Sequence, residues 1–178
     1  MNKFLDKFFK FFMVNHEVRN FWKLRKKYFA TNNIFLQKYY LYQARKIMHK
    51  SSAHVPFSQN IPRFTSPHGF NGIMISRGAK IGKRCVIFHQ VTLGTNTLRD
   101  AKCYGAPTIG NNVYIGTGAK LIGGIKIGNN VRIGANCVVT CDVPSNSTVV
   151  LPHPRIIIKK EAQPNKWFVL EDKNYKKP

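Results

Sequence analysis

Two histidines in the middle of the chain, His68 and His89, are the residues best suited to acid–base chemistry. The chain has 178 residues, and between positions 51 and 160 it carries only two carboxylates, Asp100 and Asp142. A proton acceptor in this stretch is therefore expected to be an imidazole, which exchanges a proton near neutral pH and can take one from a hydroxyl group. From the residues alone, either histidine could equally be an ordinary residue of a surface loop.

The residues around the histidines repeat with a period of six. Aliphatic side chains recur in two series, and a small or β-branched residue follows each aliphatic by four positions. The series are Ile75, Ile81, Ile87 and Leu93, then Ile109, Ile115, Leu121, Ile127, Ile133 and Val139. The pair Asn111-Asn112 recurs as Asn129-Asn130, as expected for turn residues that tolerate a positive φ. We predict one short strand per hexad, three hexads per triangular coil, and coils stacked into an all-β parallel β-helix.

This β-helix would position the histidines. One coil has eighteen residues, so the 21 residues from His68 to His89 make about one coil plus the turn, and the imidazoles are expected to lie near each other. The two aliphatic series are out of phase, because 109 minus 93 is 16 and not a multiple of six. Residues 95–107 must therefore leave the helix as a protruding loop, and loops on rigid scaffolds often carry binding groups.

Residues 1–50 have a different character. They carry twelve Lys and Arg against two acids and contain no Gly or Pro, which predicts a basic, aromatic segment of two or three helices. These helices either cap the open end of the prism in an oligomer or lie on an anionic membrane surface, and Met1–Phe12 is the part we expect to contact the membrane. Residues 51–160 are predicted to form the β-helix domain, beginning with a proline-containing loop over 51–72, and residues 161–178 a C-terminal tail.

The charge and cysteines narrow the class of protein. A net charge of +22 predicts attraction to polyanions such as anionic lipid, acidic glycan or a nucleotide cofactor. The core shows no nucleic-acid-binding motif, so no nucleic-acid partner is expected. The four cysteines lack zinc-site spacing and predict reduced thiols, with no metal. With no signal peptide and no transmembrane span, we expect a cytoplasmic protein, leaving open peripheral contact with the inner membrane.

Three segments carry a resemblance to a known family: the GAKIG run, Phe88–Gly94 (FHQVTLG) and Pro107–Val139. They resemble the bacterial hexapeptide-repeat acyltransferases, and within these the serine acetyltransferase-like branch, over roughly residues 54–158. The closest likeness is to the O-acetyltransferases that modify capsule or lipopolysaccharide sugars. This resemblance implies a left-handed β-helix, a homotrimer, and acetyl-CoA as co-substrate in a groove between adjacent subunits.

The resemblance also implies roles for individual residues. His68 precedes a Gly-aliphatic run, as the family's catalytic histidine does, and is therefore the expected general base. His89 lies where sugar acetyltransferases of this type often carry histidine, which implies substrate binding or a second catalytic role. Backbone amides along the coils are expected to hold the pantetheine arm. Cations after the last coil are expected to bind the CoA phosphates. These cofactor-binding candidates are Gly116, Thr117, Gly118, Ala119, Gly134 and Ala135, followed by Arg155, Lys159 and Lys160.

Two departures from serine acetyltransferases bear on the acceptor. Those enzymes orient their base with an aspartate about fifteen residues upstream, where this chain has Ser51–Val55 without a carboxylate, so that Ser52 or a backbone carbonyl would orient the ring instead. They also carry a histidine before a proline, where this chain has Ala106-Pro107. We therefore expect acetyl transfer to a sugar hydroxyl of a bacterial surface polysaccharide. An acidic carbohydrate would suit the positive charge of the chain as the acceptor.

Two alternatives remain at this point. One is a serine O-acetyltransferase of cysteine biosynthesis, and the other is a non-enzymatic β-helix that binds polyanions. A zinc carbonic anhydrase on this scaffold is excluded, because the core lacks the three zinc-binding histidines that it needs.

Overall fold

A computed structural model describes residues 16–160 of the chain. It begins with two helices joined by a three-residue turn, α1 (His16–Ala30) and α2 (Ile34–Lys50). Asn33 caps α2, since its side-chain oxygen accepts hydrogen bonds from the N–H groups of Phe35 and Leu36. The predicted helical N-terminal segment is confirmed over these residues. The membrane-contacting stretch expected at Met1–Phe12 and the tail expected at 161–178 lie outside the described residues.

Short parallel strands follow, each two or three residues long. In chain order they are β1 (Met74–Ile75), β2 (Lys80–Ile81), β3 (Val86–Ile87), β4 (Thr92–Gly94), β5 (Thr108–Ile109), β6 (Tyr114–Ile115), β7 (Lys120–Ile122), β8 (Lys126–Ile127), β9 (Arg132–Ile133), β10 (Val138–Val139) and β11 (Thr148–Val149). Face one contains β1, β4, β7 and β10; face two contains β3, β6, β9 and β11; face three contains β2, β5 and β8. Successive strands visit the three faces in rotation, which makes the predicted triangular prism.

The register reproduces the predicted coil length. Ile109 pairs with Ile127, eighteen residues on, whereas Ile81 pairs with Ile109, 28 residues on. The ten additional residues (28 minus 18) belong to the excursion between β4 and β5. At its base, Asn96 and Gly105 exchange backbone hydrogen bonds of 2.8 and 2.9 Å, so the loop leaves and rejoins the prism at one point. The phase shift read from the sequence is therefore a real insertion.

The prism interior is filled by the two aliphatic series. Every member of both series is buried, and so are the small or β-branched residues four positions later within the hexads, from Ala79 to Val143, whereas Thr97 at the start of the loop is exposed. Polar neighbours in the strands point outward, as the alternation along a strand requires. Burial raises the pKa of the Cys85 thiol, which keeps it protonated, and all four cysteines are free thiols.

The segment 51–72 forms an irregular first coil. His54 makes an isolated bridge to Met74 and Thr65 makes one to Val86, both parallel, so this segment extends two faces of the prism by one rung. Continuous strands do not form here because Pro56, Pro62 and Pro67 lack the N–H that a ladder needs.

Helix α1 closes this end of the prism. Phe21 and Trp22 are buried and pack edge-to-face against the first coil, with ring centroids 4.9 Å apart for Phe21 and Phe70 and 5.2 Å for Trp22 and Phe64. Arg25 fixes the helix further by donating a 2.6 Å hydrogen bond to the carbonyl of Ser58, and burial lowers the pKa of its guanidinium. The inner side of the N-terminal helices is thus a cap.

Within residues 16–160, no helix is both long and apolar enough to cross a membrane. The same part of the chain contains no cluster of three or more residues suited to holding a metal ion.

Candidate active site

The turns that connect face two to face one stack along the prism axis. We call this stack the histidine corner and define it as residues 88–91, 116–119 and 134–137. Backbone hydrogen bonds hold its levels together: Gly118 N–H donates to the carbonyl of His89 at 3.1 Å, and Asn136 N–H to that of Thr117 at 2.8 Å. The loop 66–72 precedes it, since Gln90 N–H donates to the carbonyl of Asn71 at 2.8 Å. The repeat therefore brings the His68 loop and His89 onto adjacent levels of one corner.

The two imidazoles meet directly. The Nδ1 atoms of His68 and His89 lie 3.3 Å apart, and the ring planes are inclined by 27°. At this distance one Nδ1 carries a hydrogen and donates it to the other, so the pair shares one proton between two nitrogens. His89, rather than Ser52 or a backbone carbonyl, is the hydrogen-bond partner of the His68 ring. His68 is exposed and His89 half-buried, so the pair is open to a ligand.

Neighbouring side chains hold the pair in place. The Phe88 ring lies edge-on to His68 with centroids 5.4 Å apart, and Asn71 Nδ2 donates to the His68 carbonyl at 3.2 Å. Gln90 adopts a φ of 60°, a conformation that costs a residue with a side chain of this size about 1–2 kcal/mol. The same positive φ recurs at Gly118 and Asn136, at the equivalent position of the next two levels, so Gln90 follows the turn geometry of this corner.

The side chains on the surface of the histidine corner become abruptly smaller next to the histidines. At the level of His89 it carries Phe88 and Gln90. The next level carries Gly116 to Gly118, and the level after it carries Gly134 and Ala135, followed by Asn136 as its one longer exposed side chain. A Cβ on Gly116 would lie 2.8 Å from the backbone nitrogen of Ala135, so the levels are packed too closely for a side chain there. We call these two low levels the glycine shelf. An extended ligand can lie along it with one end against the imidazoles.

Not every residue predicted to bind the cofactor can reach it. The Ala119 side chain is fully buried in the prism interior, and the prediction that it contributes to the ligand surface is not supported by its position. The N–H groups of Gly116, Gly118 and Gly134 donate to the carbonyls of Ile133, His89 and Val149, so these amides hold coils together instead of facing a ligand. Gly116, Gly118, Gly134 and Ala135 form the floor of the shelf through their lack of side-chain bulk.

The predicted phosphate-binding cations lie at the far end. The chain leaves the prism beside Gly134, whose N–H donates to the carbonyl of Val149 at 2.8 Å, and residues 151–160 follow without regular structure. Arg155, Lys159 and Lys160 are exposed in this segment. From the level of His89 to the level where the segment departs is three coils, or about 14 Å at the spacing of neighbouring strands.

Phe88 was missed by the sequence reasoning. The signal that could have found it is a break in the repeat: the position that follows the inward aliphatic is glycine at 116 and 134 but phenylalanine at 88. A bulky residue where the repeat has glycine indicates a wall next to a shelf.

Comparisons with known proteins assign the class of this arrangement. Residues 106–141 match the bacterial transferase hexapeptide family, described as six repeats. Residues 106–141 therefore carry the transferase hexapeptide repeat, in agreement with the resemblance.

The relatives narrow the class further. A serine acetyltransferase of Synechococcus elongatus is 47% identical over 92 residues, which are 52% of this chain and 36% of that protein. The solved structure of serine acetyltransferase isoform 3 from Entamoeba histolytica, in complex with cysteine, aligns with a TM-score of 0.58 at 35% identity over 68% of this chain and 43% of that one. A serine acetyltransferase structure in complex with CoA aligns with a TM-score of 0.58 at 25% identity over 75% of this chain and 52% of that one.

These alignments establish the fold and show how much of each relative the chain covers. The β-helix is left-handed, as predicted. The chain spans between about a third and about half of the length of the first curated relatives that it matches, which are 36% and 52% covered.

The expectation of a sugar O-acetyltransferase for surface polysaccharide is wrong. The curated relative and the solved structures named above are serine acetyltransferases. The hexads and the FHQVTLG run build the prism and the shelf, and these features do not depend on the acceptor. The missing aspartate weighed against serine in the sequence, but in the structure the His89 imidazole occupies the hydrogen-bonding place beside His68.

Proposed function

We propose that this chain is an acetyl-CoA-dependent O-acetyltransferase that acts on the hydroxyl group of L-serine. The single observation that carries an enzymatic role is the His68–His89 pair, 3.3 Å apart, at the end of the glycine shelf. The choice of serine is supported by the names of the relatives. Binding of the co-substrate is supported by the related structure in complex with CoA.

His68 acts as the general base. Its Nδ1–H donates to Nδ1 of His89, which leaves Nε2 without a hydrogen and able to accept one. As the serine hydroxyl oxygen bonds to the acetyl carbonyl carbon, Nε2 takes the hydroxyl proton. The tetrahedral intermediate then collapses, the carbon–sulfur bond breaks, and the imidazolium returns its proton to the CoA sulfur. The products are O-acetylserine and CoA, with no net gain or loss of protons.

His89 is a positioning residue in this scheme. A carboxylate that orients a catalytic histidine fixes its tautomer and stabilises the imidazolium. His89 supplies the first of these through its unprotonated Nδ1, 3.3 Å from that of His68. Because an imidazole lacks the full negative charge of a carboxylate, His89 stabilises the imidazolium less than a carboxylate would.

The glycine shelf is the proposed path of the pantetheine arm. The thioester lies at the Phe88 end, and the nucleotide reaches the segment that carries Arg155, Lys159 and Lys160, whose cations suit phosphate groups. On one chain the histidine corner is a convex edge, so it provides only one wall of a groove. A neighbouring copy in a trimer supplies the second wall in this proposal.

The test uses the full-length protein with acetyl-CoA and L-serine. We expect release of the CoA thiol together with O-acetylserine detected by mass spectrometry. His68→Ala should lower kcat by about 10²–10⁴-fold while CoA binding remains. His49→Ala, which removes an exposed histidine from the last turn of α2, is the matched control and should leave kcat unchanged. The absence of O-acetylserine with the wild-type protein, or full activity in His68→Ala, would refute the proposal.

A further inference from the structure

The outer side of the two N-terminal helices is strongly basic and is left free by the cap. Residues 16–50 contain nine Lys and Arg against the single acid Glu17, a net charge of +8. Val18, Phe21 and Trp22 use the inner side of α1 for the prism, whereas Lys23, Lys26 and Lys27 are exposed. These three lysines are therefore separated from the residues that hold the cap, whereas Arg25 is part of the cap.

Exposed apolar residues accompany these cations. Phe35 is 78% exposed, Ile34 55% and Tyr39 53%, all at the start of α2 or within its first two turns. Phe35, Tyr39, Tyr42 and Lys46 follow one another at spacings of four, three and four residues, which places them on one stripe of the helix. Large apolar side chains left in water beside a basic surface mark an interaction site more often than a solvated face.

A groove joins the cations to the apolar stripe. It has a volume of about 760 Å³ between α1 and α2. Its cations come from both helices, and Leu24, Ala30 and Ile47 provide its apolar part. We call this groove and the stripe beside it the basic aromatic surface, formed by Lys23, Lys26, Lys27, Lys46, Phe35 and Tyr39.

We infer that the basic aromatic surface docks on a bilayer that contains anionic phospholipid. Lysines at such a surface are drawn to the headgroup phosphates, while Phe35, Ile34 and Tyr39 leave water by entering the interfacial region. A second copy of the chain is disfavoured as the occupant, because two surfaces that each carry the four lysines repel each other. A nucleic acid would satisfy the lysines but would leave Ile34 and Leu36 in water, since aliphatic side chains do not stack on bases.

This inference does not depend on the proposed enzymatic activity, so vesicle binding is measured without acetyl-CoA. The full-length protein is mixed with phosphatidylcholine vesicles, or with vesicles in which about a third of the lipid is phosphatidylglycerol, and sedimented. We expect binding only to the second kind, weakening as salt rises from about 0.05 to 0.5 M, because salt screens the attraction.

Matched variants distinguish binding through this surface from attraction by the overall charge of the protein. Each lysine near an anionic bilayer contributes about fivefold in affinity, so Lys23→Gln combined with Lys26→Gln should weaken binding roughly 30-fold. The control, Lys80→Gln with Lys126→Gln, removes the same charge from exposed positions on face three and should change binding less than about twofold. Phe35→Gln should weaken binding roughly tenfold with no change in charge.

Three results would overturn the inference. The first is the absence of binding to vesicles with phosphatidylglycerol. The second is an equal loss of binding in the two lysine pairs, which would show that net charge alone attracts the protein. The third is a helix-mediated oligomer in solution that Phe35→Gln dissociates, because this surface would then be covered by another copy.

Discussion

At the scale of single residues, the central feature is an imidazole held by another imidazole. A histidine that hydrogen-bonds through Nδ1 presents Nε2 in a fixed tautomer and direction. The partner must accept a hydrogen bond, and in the proposed mechanism His89 does so through its Nδ1, 3.3 Å from that of His68. The functional consequence is that His89 should matter for turnover more than for binding.

Replacing His89 tests this positioning role. His89→Leu removes the acceptor, frees the His68 ring to adopt either tautomer, and should lower kcat about 100-fold with little change in KM for acetyl-CoA. His89→Glu restores an acceptor and should recover at least a tenth of the lost activity, with the rising limb of the pH–rate profile moved to higher pH because a carboxylate stabilises the imidazolium. Steady-state kinetics against pH measure both effects. Equal activity of His89→Leu and His89→Glu would show that the ring only fills space.

Sequence reasoning reached part of this site. The 21-residue spacing together with the eighteen-residue coil predicted that His68 and His89 lie close, and they do. Periodicity assigns residues to levels, but it does not tell which backbone amides are consumed in joining levels. The amides of Gly116 and Gly118 were therefore expected to hold the cofactor, although each bonds to a neighbouring level. The acceptor could not be derived either, because the repeat encodes a scaffold and does not specify the groups that would bind an acceptor.

At the scale of elements, the prism depends on its turns. A second stack of turns joins face three to face two, and its asparagines bond level to level: Asn112 Nδ2 donates to Asn130 Oδ1 and Asn130 Nδ2 to Asn146 Oδ1, each at 2.9 Å. All three residues have a positive φ between 55° and 61°. Asparagine is suited to both demands, since it tolerates this conformation and carries a donor and an acceptor.

The asparagine ladder gives a stability prediction with an internal control. Asn130→Ala loses both ladder bonds and places a Cβ in the left-handed region without a compensating side-chain bond, so it should lower the free energy of unfolding by about 2 kcal/mol. Asn130→Gly loses the same bonds but has no conformational cost, and should lose only about 1 kcal/mol. Urea unfolding measures the difference. A glycine variant less stable than the alanine variant would contradict this account, and neither should change kcat, since this stack is a different corner from that of the histidines.

The elements were largely predictable from the sequence, and the exceptions have physical reasons. A period of six fixes strands, turns and the interior, and the break in phase located the loop at 95–107. The segment 51–72 was expected to be loop-like but also contributes two rungs, through His54 and Thr65. Its prolines obscure the repeat, because they allow single bridges but no continuous ladder.

At the scale of the whole molecule, the N-terminal helices have two sides with different tasks. The sequence left open whether they cap the prism or meet a membrane, because composition cannot assign residues to sides of a helix whose neighbours are unknown. In the structure, Phe21 and Trp22 on the inner side of α1 form the cap, and Lys23 and Lys26 are exposed on its outer side. Stability and surface recognition are thus carried by neighbouring residues of one helix.

The cap should stabilise the coils in order of their distance from it. Phe21 is fully buried and meets Phe57 and Phe70 edge-to-face, so Phe21→Ala leaves a cavity that costs about 3–5 kcal/mol. In a stack of coils each level contacts mainly its neighbours, so the loss is felt most in the first levels. Phe70 follows His68 by two residues, and loosening it should also lower kcat.

Hydrogen exchange distinguishes a graded loss of stability from a uniform one. In Phe21→Ala the amide of Met74, which donates to Val91 at 2.9 Å, should exchange at least tenfold faster than in the wild type, whereas the amide of Arg132, which donates to Ser147, should change much less. Phe35→Ala, at an exposed position of α2, should leave both amides unchanged. If the exchange rates of the Met74 and Arg132 amides rise equally, the prism unfolds as one cooperative unit and the cap stabilises every coil alike. The predicted loss of activity would then not arise from local loosening around Phe70.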